Sequence, residues 1–283
     1  MASASPLPTS LLPFSLFLIL SSHSLRTLSP TPVFGFWHIG IVGTYMEVVA
    51  DQLSQLQRAA FPTDFTFIRI MSTDPSRADV EWLIRTHHAR ERLGTVFFTY
   101  GEEREGRELA DTKSTWMVRS LSMHLVDDAI VWFIHNKGVT HFNLANYAYV
   151  SDWRRMMMYF LFERDWCYRA LKADFYDTCG SKLEHFPFKH YSGTFWMAHT
   201  RYVRKLPLAS KFWDDPNRLE RFAGEFWLLH SDLNTSRVLC VHHSNVSNYD
   251  VPYPRSMYES ARIGKGCPYP VKREFLSSLG ADA

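Results

Sequence analysis

The sequence predicts an α/β domain with a mostly parallel sheet and helices on both faces. Three observations carry this. From Val33 onward, strand-like and helix-like segments alternate, which is the order that builds parallel strands joined by crossover helices. The strand-like segments are apolar throughout, as in strands covered on both faces. The helix-like segments carry apolar residues at the three-to-four spacing that gives one buried stripe. With 46% hydrophobic and 21% charged residues, the chain has enough apolar mass for a sizeable core.

The elements follow in order. "VFGFWHIG" reads as a strand ending near His38, and "TYMEVVADQLSQLQRAA" puts Val48, Val49, Leu53 and Leu56 on one helical face. "DFTFIRIM" is a second strand, "ADVEWLIRTHHARERL" a helix, and "TVFFTY" a third strand. The polar stretch "GEEREGRELADTKSTWMVRSLSMHLVD" turns helical in its later half, and "AIVWFIH" is the fourth strand. A long helix is expected from about Asp152 to Ala173, capped by Ser151 or Asp152, with Trp153, Met156, Met157, Phe160, Cys167 and Leu171 on its apolar side. "GTFWMAHTRYV" gives a strand turning into a short helix, "DDPNRLERFAGEFWLLHS" a helix, and "SRVLCVHH" a strand. From Tyr249 onward prolines and glycines dominate, so residues 249–283 read as a tail over the domain of residues 33–248.

Residues 1–32 differ in kind. The apolar run Leu11–Leu20 is too short to span a bilayer and fits the core of a secretory signal, although no Lys or Arg precedes it. Uncleaved, it would serve as a weak membrane anchor. Two acceptor sequons, "NTS" at Asn234 and "NVS" at Asn245, lean towards the same compartment. Cys167, Cys179, Cys240 and Cys267 allow three connectivities if all are paired, four isolated buried thiols being the alternative. Their spacing does not suit zinc.

The net charge of +2 and the absence of a basic stripe argue against nucleic acid. No Walker-type loop, Gly-x-Gly-x-x-Gly, His-Glu-x-x-His or Gly-x-Ser-x-Gly occurs, which argues against the common nucleotidases, dehydrogenases, zinc proteases and esterases. The candidate site is the end of the fourth strand. There the apolar run stops at His135, Asn136, Lys137 and Gly138, and in open α/β sheets ligands bind beyond the carboxyl ends of strands. Lys137 is a compact charge suited to phosphate, with His135 two residues away as a second cation. Gly138 permits a tight turn or a close backbone approach. A polar surface turn is the competing reading of the same four residues.

The order of "FWHIG", "IHNKGVTH", "DWRRMMMYFLFE", "YDTCG", "HYSGTFWMAHTRYVRKLP" and "GEFWLL" resembles a poorly characterised group of glycosyltransferase-like proteins. That group is similar to nucleotide-sugar glycosyltransferases of the GT-A type and, more distantly, to proteins of bacterial rhamnan synthesis. The resemblance covers roughly residues 34 to 230, with Asn136 where Thr or Ser is usual and Thr194 where Asn often stands. It implies a GT-A-like, Rossmann-like fold and transfer of a hexosyl or deoxyhexosyl group from a nucleotide sugar.

Metal-dependent GT-A enzymes end this strand in Asp-x-Asp, which holds a cation on the diphosphate. His-Asn-Lys lacks those oxygen ligands, so Lys137, helped by His135, is expected to neutralise the diphosphate without a metal or other cofactor. The layout also implies Glu225 in "AGEFWLL" as the acceptor base. His190, Tyr191 and Ser192 would line the acceptor side, and Trp196 would either stack on a sugar face or be an ordinary core tryptophan. The expectation is therefore a secretory-pathway transferase with a nucleotide sugar and a glycan, protein or lipid acceptor as partners. The alternatives are a non-catalytic carbohydrate-binding or scaffold protein on the same fold, and a phosphate-ester hydrolase using the same strand end.

Overall fold

The computed structural model describes residues 31–71, 76–101, 112–141, 144–208, 223–229 and 237–280. The apolar run Leu11–Leu20, Asn234 and most of the expected helix before Glu225 lie outside the described residues.

One sheet organises the chain. Its first four strands are β1 (Val33–Gly40), β2 (Phe65–Met71), β3 (Thr95–Gly101) and β4 (Ile130–His135). Between them run helices α1 (Tyr45–Leu56), α2 (Arg77–Thr86) and α3 (Thr112–His124). After β4 come α4 (Tyr147–Met158) and α5 (Trp166–Lys172), then β5 (Thr178–Gly180) and the two-stranded pair β6 (Leu183–Glu184) and β7 (His190–Tyr191). β8 (Trp196–His199), α6 (Thr200–Val203), α7 (Ala223–Trp227), β9 (Val238–Cys240) and α8 (Arg273–Leu279) complete the described elements.

The strand order is β3-β2-β1-β4-β8-β5-β9. β1 pairs in parallel with both β2 and β4, and β2 with β3, whereas β8 runs antiparallel to β4 and β5. This is the expected mostly parallel sheet with helices on both faces. The chain leaves β1 outward through β2 and β3 and returns on its other side as β4, so the order switches between β1 and β4. In open α/β sheets such a switch, beyond the strand ends, is where ligands bind.

Alternation along the strands divides the core in two. Trp37, Ile39, Ile68, Ile70, Trp132 and Ile134 face α1, α2, α4 and α5. Phe34, Phe36, Phe67, Val131, Phe133 and Trp196 face α3, α6 and α7. Rings stack across neighbouring strands, Phe36 on Phe67 at 5.0 Å and Phe67 on Phe97 at 5.3 Å, which fixes the register of this face.

Two expected helices differ. The segment after Val80 breaks at His87, which takes an extended conformation and accepts the Ala89 N–H on its ring, so residues His88–Leu93 wind as a 3-10 turn. The long helix starts five residues before Asp152, at Tyr147, with no side-chain cap from Asn146, and Ser151 and Asp152 lie inside it rather than capping it. It then widens into a π turn over Tyr159–Glu163 and stops at the extended Arg164. Tertiary bonds cause the stop: Arg164 donates to the Tyr159 hydroxyl and the Glu259 carbonyl, while Glu163 pairs with Arg58 and Arg255.

The cysteines are paired. Cys167–Cys179 ties α5 to β5, and Cys240–Cys267 ties β9 to the segment that follows. That segment does more than cover the surface, since Tyr253, Tyr258, Phe275 and Leu279 are buried in the main core. At the far end of β4, Asp128 bonds His199, Thr200 and Arg201, and Arg201 and Arg237 share Asp174 and Asp177. Burial would raise the Asp128 carboxyl, but these partners outweigh it and hold it far below the usual carboxylate range.

Candidate functional site

The residues at the end of β4 separate into different tasks. Asn136 is buried, and its side-chain amide closes on Gly40: Oδ1 accepts the Gly40 N–H at 3.0 Å and Nδ2 donates to the Gly40 carbonyl at 2.7 Å. It pins the ends of β1 and β4 together, so both ends of the amide expected to bind a ligand are engaged on Gly40. His135 points its Nε2 at the Gly193 carbonyl, 3.0 Å away, and its own carbonyl accepts from Gln52. Burial pushes this imidazole well below its ordinary pKa, and Lys137 and His38 add to the effect. His135 is therefore neutral and is not the second cation the sequence suggested.

Lys137 remains a cation at the mouth. Its ammonium lies 4.1 Å from the Trp153 ring centroid and 5.5 Å from that of Tyr249, and it donates to the Tyr249 hydroxyl at 3.2 Å. Among the described residues no carboxylate lies within 4.0 Å of it. Arg154, buried beneath the loop, donates to the Lys137 carbonyl at 2.8 Å and pairs with Asp51 at 2.9 Å, so it shapes the loop. Gly138, at φ +96°, passes close to Arg154 and Val150, where a β-carbon would press at 3.2 and 3.1 Å.

Gly193 joins this strand end to Glu225. It sits at φ +96° in the turn before β8, accepts from His135 and donates its N–H to the Glu225 Oε1. A β-carbon there would lie 2.6 Å from the movable Met157 sulfur and 3.3 Å from the Trp153 ring, and the positive φ favours glycine. Lys137, Trp153, Gly193 and Glu225 thus form a continuous line of contacts. Glu225 is mostly buried on α7, its Oε1 4.0 Å from the His190 Nε2. Among the described residues no hydrogen bond reaches its other oxygen.

The remaining expected site residues divide. His190 is buried beside Glu225 with its Nδ1 on the Phe188 carbonyl, and Ser192 is half-buried in the same turn. Tyr191 points inward: its hydroxyl bonds Thr178 and the Leu239 carbonyl beneath the sheet, which corrects its placement at the acceptor side. Trp196 is also a core residue, 1% exposed and stacked on Phe133 at 5.3 Å, with no face left for a sugar.

Trp153, Lys182 and Tyr249 are the residues that pattern reading missed. Lys182 is buried, with its ammonium on the Val246 carbonyl and Asn248 Oδ1 at 2.6 Å and on Ser244 at 3.3 Å. Burial lowers its pKa, against Glu184 and together with Lys137. No motif marks "GSKLE" or "SNYD", and Trp153 carries the periodicity of an ordinary core position. Among the described residues no group of three or more His, Cys, Asp or Glu is placed to hold a metal ion. A separate cleft of about 350 Å3 between α1 and α4 shares Arg154 and Asp51 with the loop but none of the strand-end side chains.

The fold and the strand-end site define an α/β protein with a mostly parallel sheet and a lysine at the switch in strand order. The chain belongs to a family described as a domain of unknown function (DUF8361), whose model matches residues 43–238. No curated protein sequence matches it. Solved structures with similar folds include a 4-diphosphocytidyl-2C-methyl-D-erythritol synthase, at 11% identity and TM-score 0.38, covering 82% of this chain and 97% of that one. Residues 1–349 of S. aureus TarS match at 10% identity and TM-score 0.35, covering 75% and 58%. The mannosyltransferase PcManGT from Pyrobaculum calidifontis, in complex with GDP-Man and Mn2+, matches at 9% and TM-score 0.36, covering 77% and 61%. The chain therefore spans less than two thirds of the latter two.

Proposed function

We propose that this protein is a glycosyltransferase that binds a nucleotide sugar, meets its diphosphate with Lys137 and passes the sugar to a hydroxyl acceptor. The observation that carries the reading is the state of Lys137. It stands at the carboxyl end of a parallel strand beside the switch in strand order, on an aromatic face, with no carboxylate within 4.0 Å among the described residues. An uncompensated ammonium in that position favours an anionic ligand, and a compact point charge suits a phosphate.

Glu225 completes the reaction. Its Oε1 is held by the Gly193 N–H, which orients the carboxylate, and the other oxygen takes the proton of the acceptor hydroxyl. The acceptor oxygen forms the new bond to the anomeric carbon as the bond to the diphosphate oxygen breaks. The leaving nucleoside diphosphate carries the electron pair, and Lys137 stabilises the charge that develops there. The rival reading, a non-catalytic binding protein, would draw support from a Lys137 locked in an ion pair, which is not its situation here.

Residence in the secretory pathway belongs to the same proposal. Two disulfides and an exposed Asn245 in a sequon support it, because both chemistries belong to an oxidising lumen.

The test is a panel of nucleotide sugars screened for thermal stabilisation of the full chain, with chelator present. A rise in Tm with one donor, lost in Lys137→Ala, supports the reading. If no nucleotide or nucleotide sugar shifts the Tm, it fails.

A further inference from the structure

We propose that Tyr249 is a second binding residue of this site: its phenol O–H donates to the same phosphate group that Lys137 neutralises. The inference rests on the anion-binding reading of Lys137 and extends it to the segment after β9, beyond the residues that the family match covers.

Geometry carries it. The Lys137 ammonium donates to the Tyr249 oxygen, so that oxygen is an acceptor and its own proton must point elsewhere. Among the described residues no second partner takes that proton. The residue is 38% exposed, so the hydroxyl lies at the open side of the loop and not in the core. Its ring stands edge-on to Trp153 with centroids 5.0 Å apart, which fixes its direction. An oxygen anion approaching the ammonium thus finds two kinds of donor side by side, a charge and an aimed hydroxyl.

The strap that presents Tyr249 is built for position. Residues 244–248 wrap the buried Lys182 ammonium, which bonds Ser244, Val246 and Asn248, and Asn248 also accepts from Ser244 at 2.8 Å. The Cys240–Cys267 bridge and the bond from the His243 N–H to the Lys265 carbonyl hold the base of the strap. A buried lysine spent on three neutral acceptors is a costly way to fold a turn, and here it fixes the residue that follows. Lys182 is therefore a positioning residue for Tyr249.

Calorimetric titration of the full chain with inorganic pyrophosphate tests this. Tyr249→Phe keeps the ring and removes only the donor, so affinity should fall about tenfold with the Tm unchanged, the size expected for one hydrogen bond to a charged group. Lys182→Met should lose a similar factor, and the double variant should lose little more, because a loosened strap no longer aims the hydroxyl. If Tyr249→Phe binds pyrophosphate like the parent while Lys137→Ala is weakened, the Tyr249 inference falls and the Lys137 reading stands. If the parent itself binds no pyrophosphate, both fall. Fully multiplied losses in the double variant would overturn the role given to Lys182.

Discussion

Gly193 donates its backbone N–H to the Glu225 carboxylate and, through its carbonyl, accepts the Nε2 of His135. One residue therefore sets the distance between the end of β4 and the proposed base. Its φ of +96° strains any side chain placed there, and a β-carbon would also displace the Met157 tip. Gly193→Ala should destabilise the fold by about 1–3 kcal/mol, as expected for a strained φ with overpacking. Transfer should fall further than the loss of folded protein explains. Urea unfolding and specific activity on the same preparation check this, and a variant with parental activity would contradict it.

Lys137→Ala and Glu225→Gln should fail in different ways. The first removes a charge-assisted contact and should weaken donor binding by about 1.5–3 kcal/mol. The second keeps the shape and loses basicity, so donor binding should persist while transfer drops about 10²–10⁴-fold. Donor calorimetry beside a product assay separates them. Parental turnover in Glu225→Gln would remove the base assignment.

Stability should fall on mild acidification. His242 is buried, stacked on Phe160 at 4.5 Å and bonded to the Tyr253 hydroxyl. Burial, with Lys265 and His243 adding to it, pushes its imidazole from 6.5 down to about 4. The unfolded chain binds this proton first, so the contribution is complete above pH 6.5 and is lost as pH falls towards 4. This amounts to about 3 kcal/mol. The partly exposed His135, whose imidazole is also held well below its ordinary pKa by desolvation, adds in the same direction. Denaturant unfolding at pH 7.5 and pH 4.5 should differ accordingly, and His242→Gln should flatten the difference. A flat profile in the parent would be incompatible with a buried neutral His242.

Reduction should cost stability through the unfolded chain. Cys240–Cys267 closes a separation of 27 residues, worth about 2–4 kcal/mol. Cys240→Ser with Cys267→Ser should lower the Tm and, because the strap hangs from this bridge, weaken pyrophosphate binding as well. An unchanged Tm would argue against the pairing.

Asn245 is exposed at the strap, so expression in a eukaryotic cell should yield a product that loses mass with endoglycosidase. Asn245→Gln should remove part or all of that shift. An unshifted cytosolic product would count against the secretory proposal.

The sequence by itself marked the first four strands and their helices, but not β5 or the antiparallel run of β8. Short apolar runs such as "AIVWFIH" read as strands covered on both faces, and their alternation with one-sided helices favours a mostly parallel order. It also marked Lys137, because a charge directly after such a run must surface at the strand's end. Local pattern says nothing of partners far along the chain, and those decided the rest. Tyr191 read as a binding residue until the sheet closed over it against Thr178, and of the two readings of Trp196 the core one holds, against Phe133. Asn136 looked available until Gly40, 96 residues away, took both ends of its amide. Arg164 ends a helix whose periodicity would have carried on, because its bonds to Tyr159 and Glu259 favour an extended backbone there. Tyr249 and Lys182 entered the site for the same reason: a turn stapled by a disulfide and wrapped on a buried ammonium is set by contacts across the fold, and periodicity carries no trace of them.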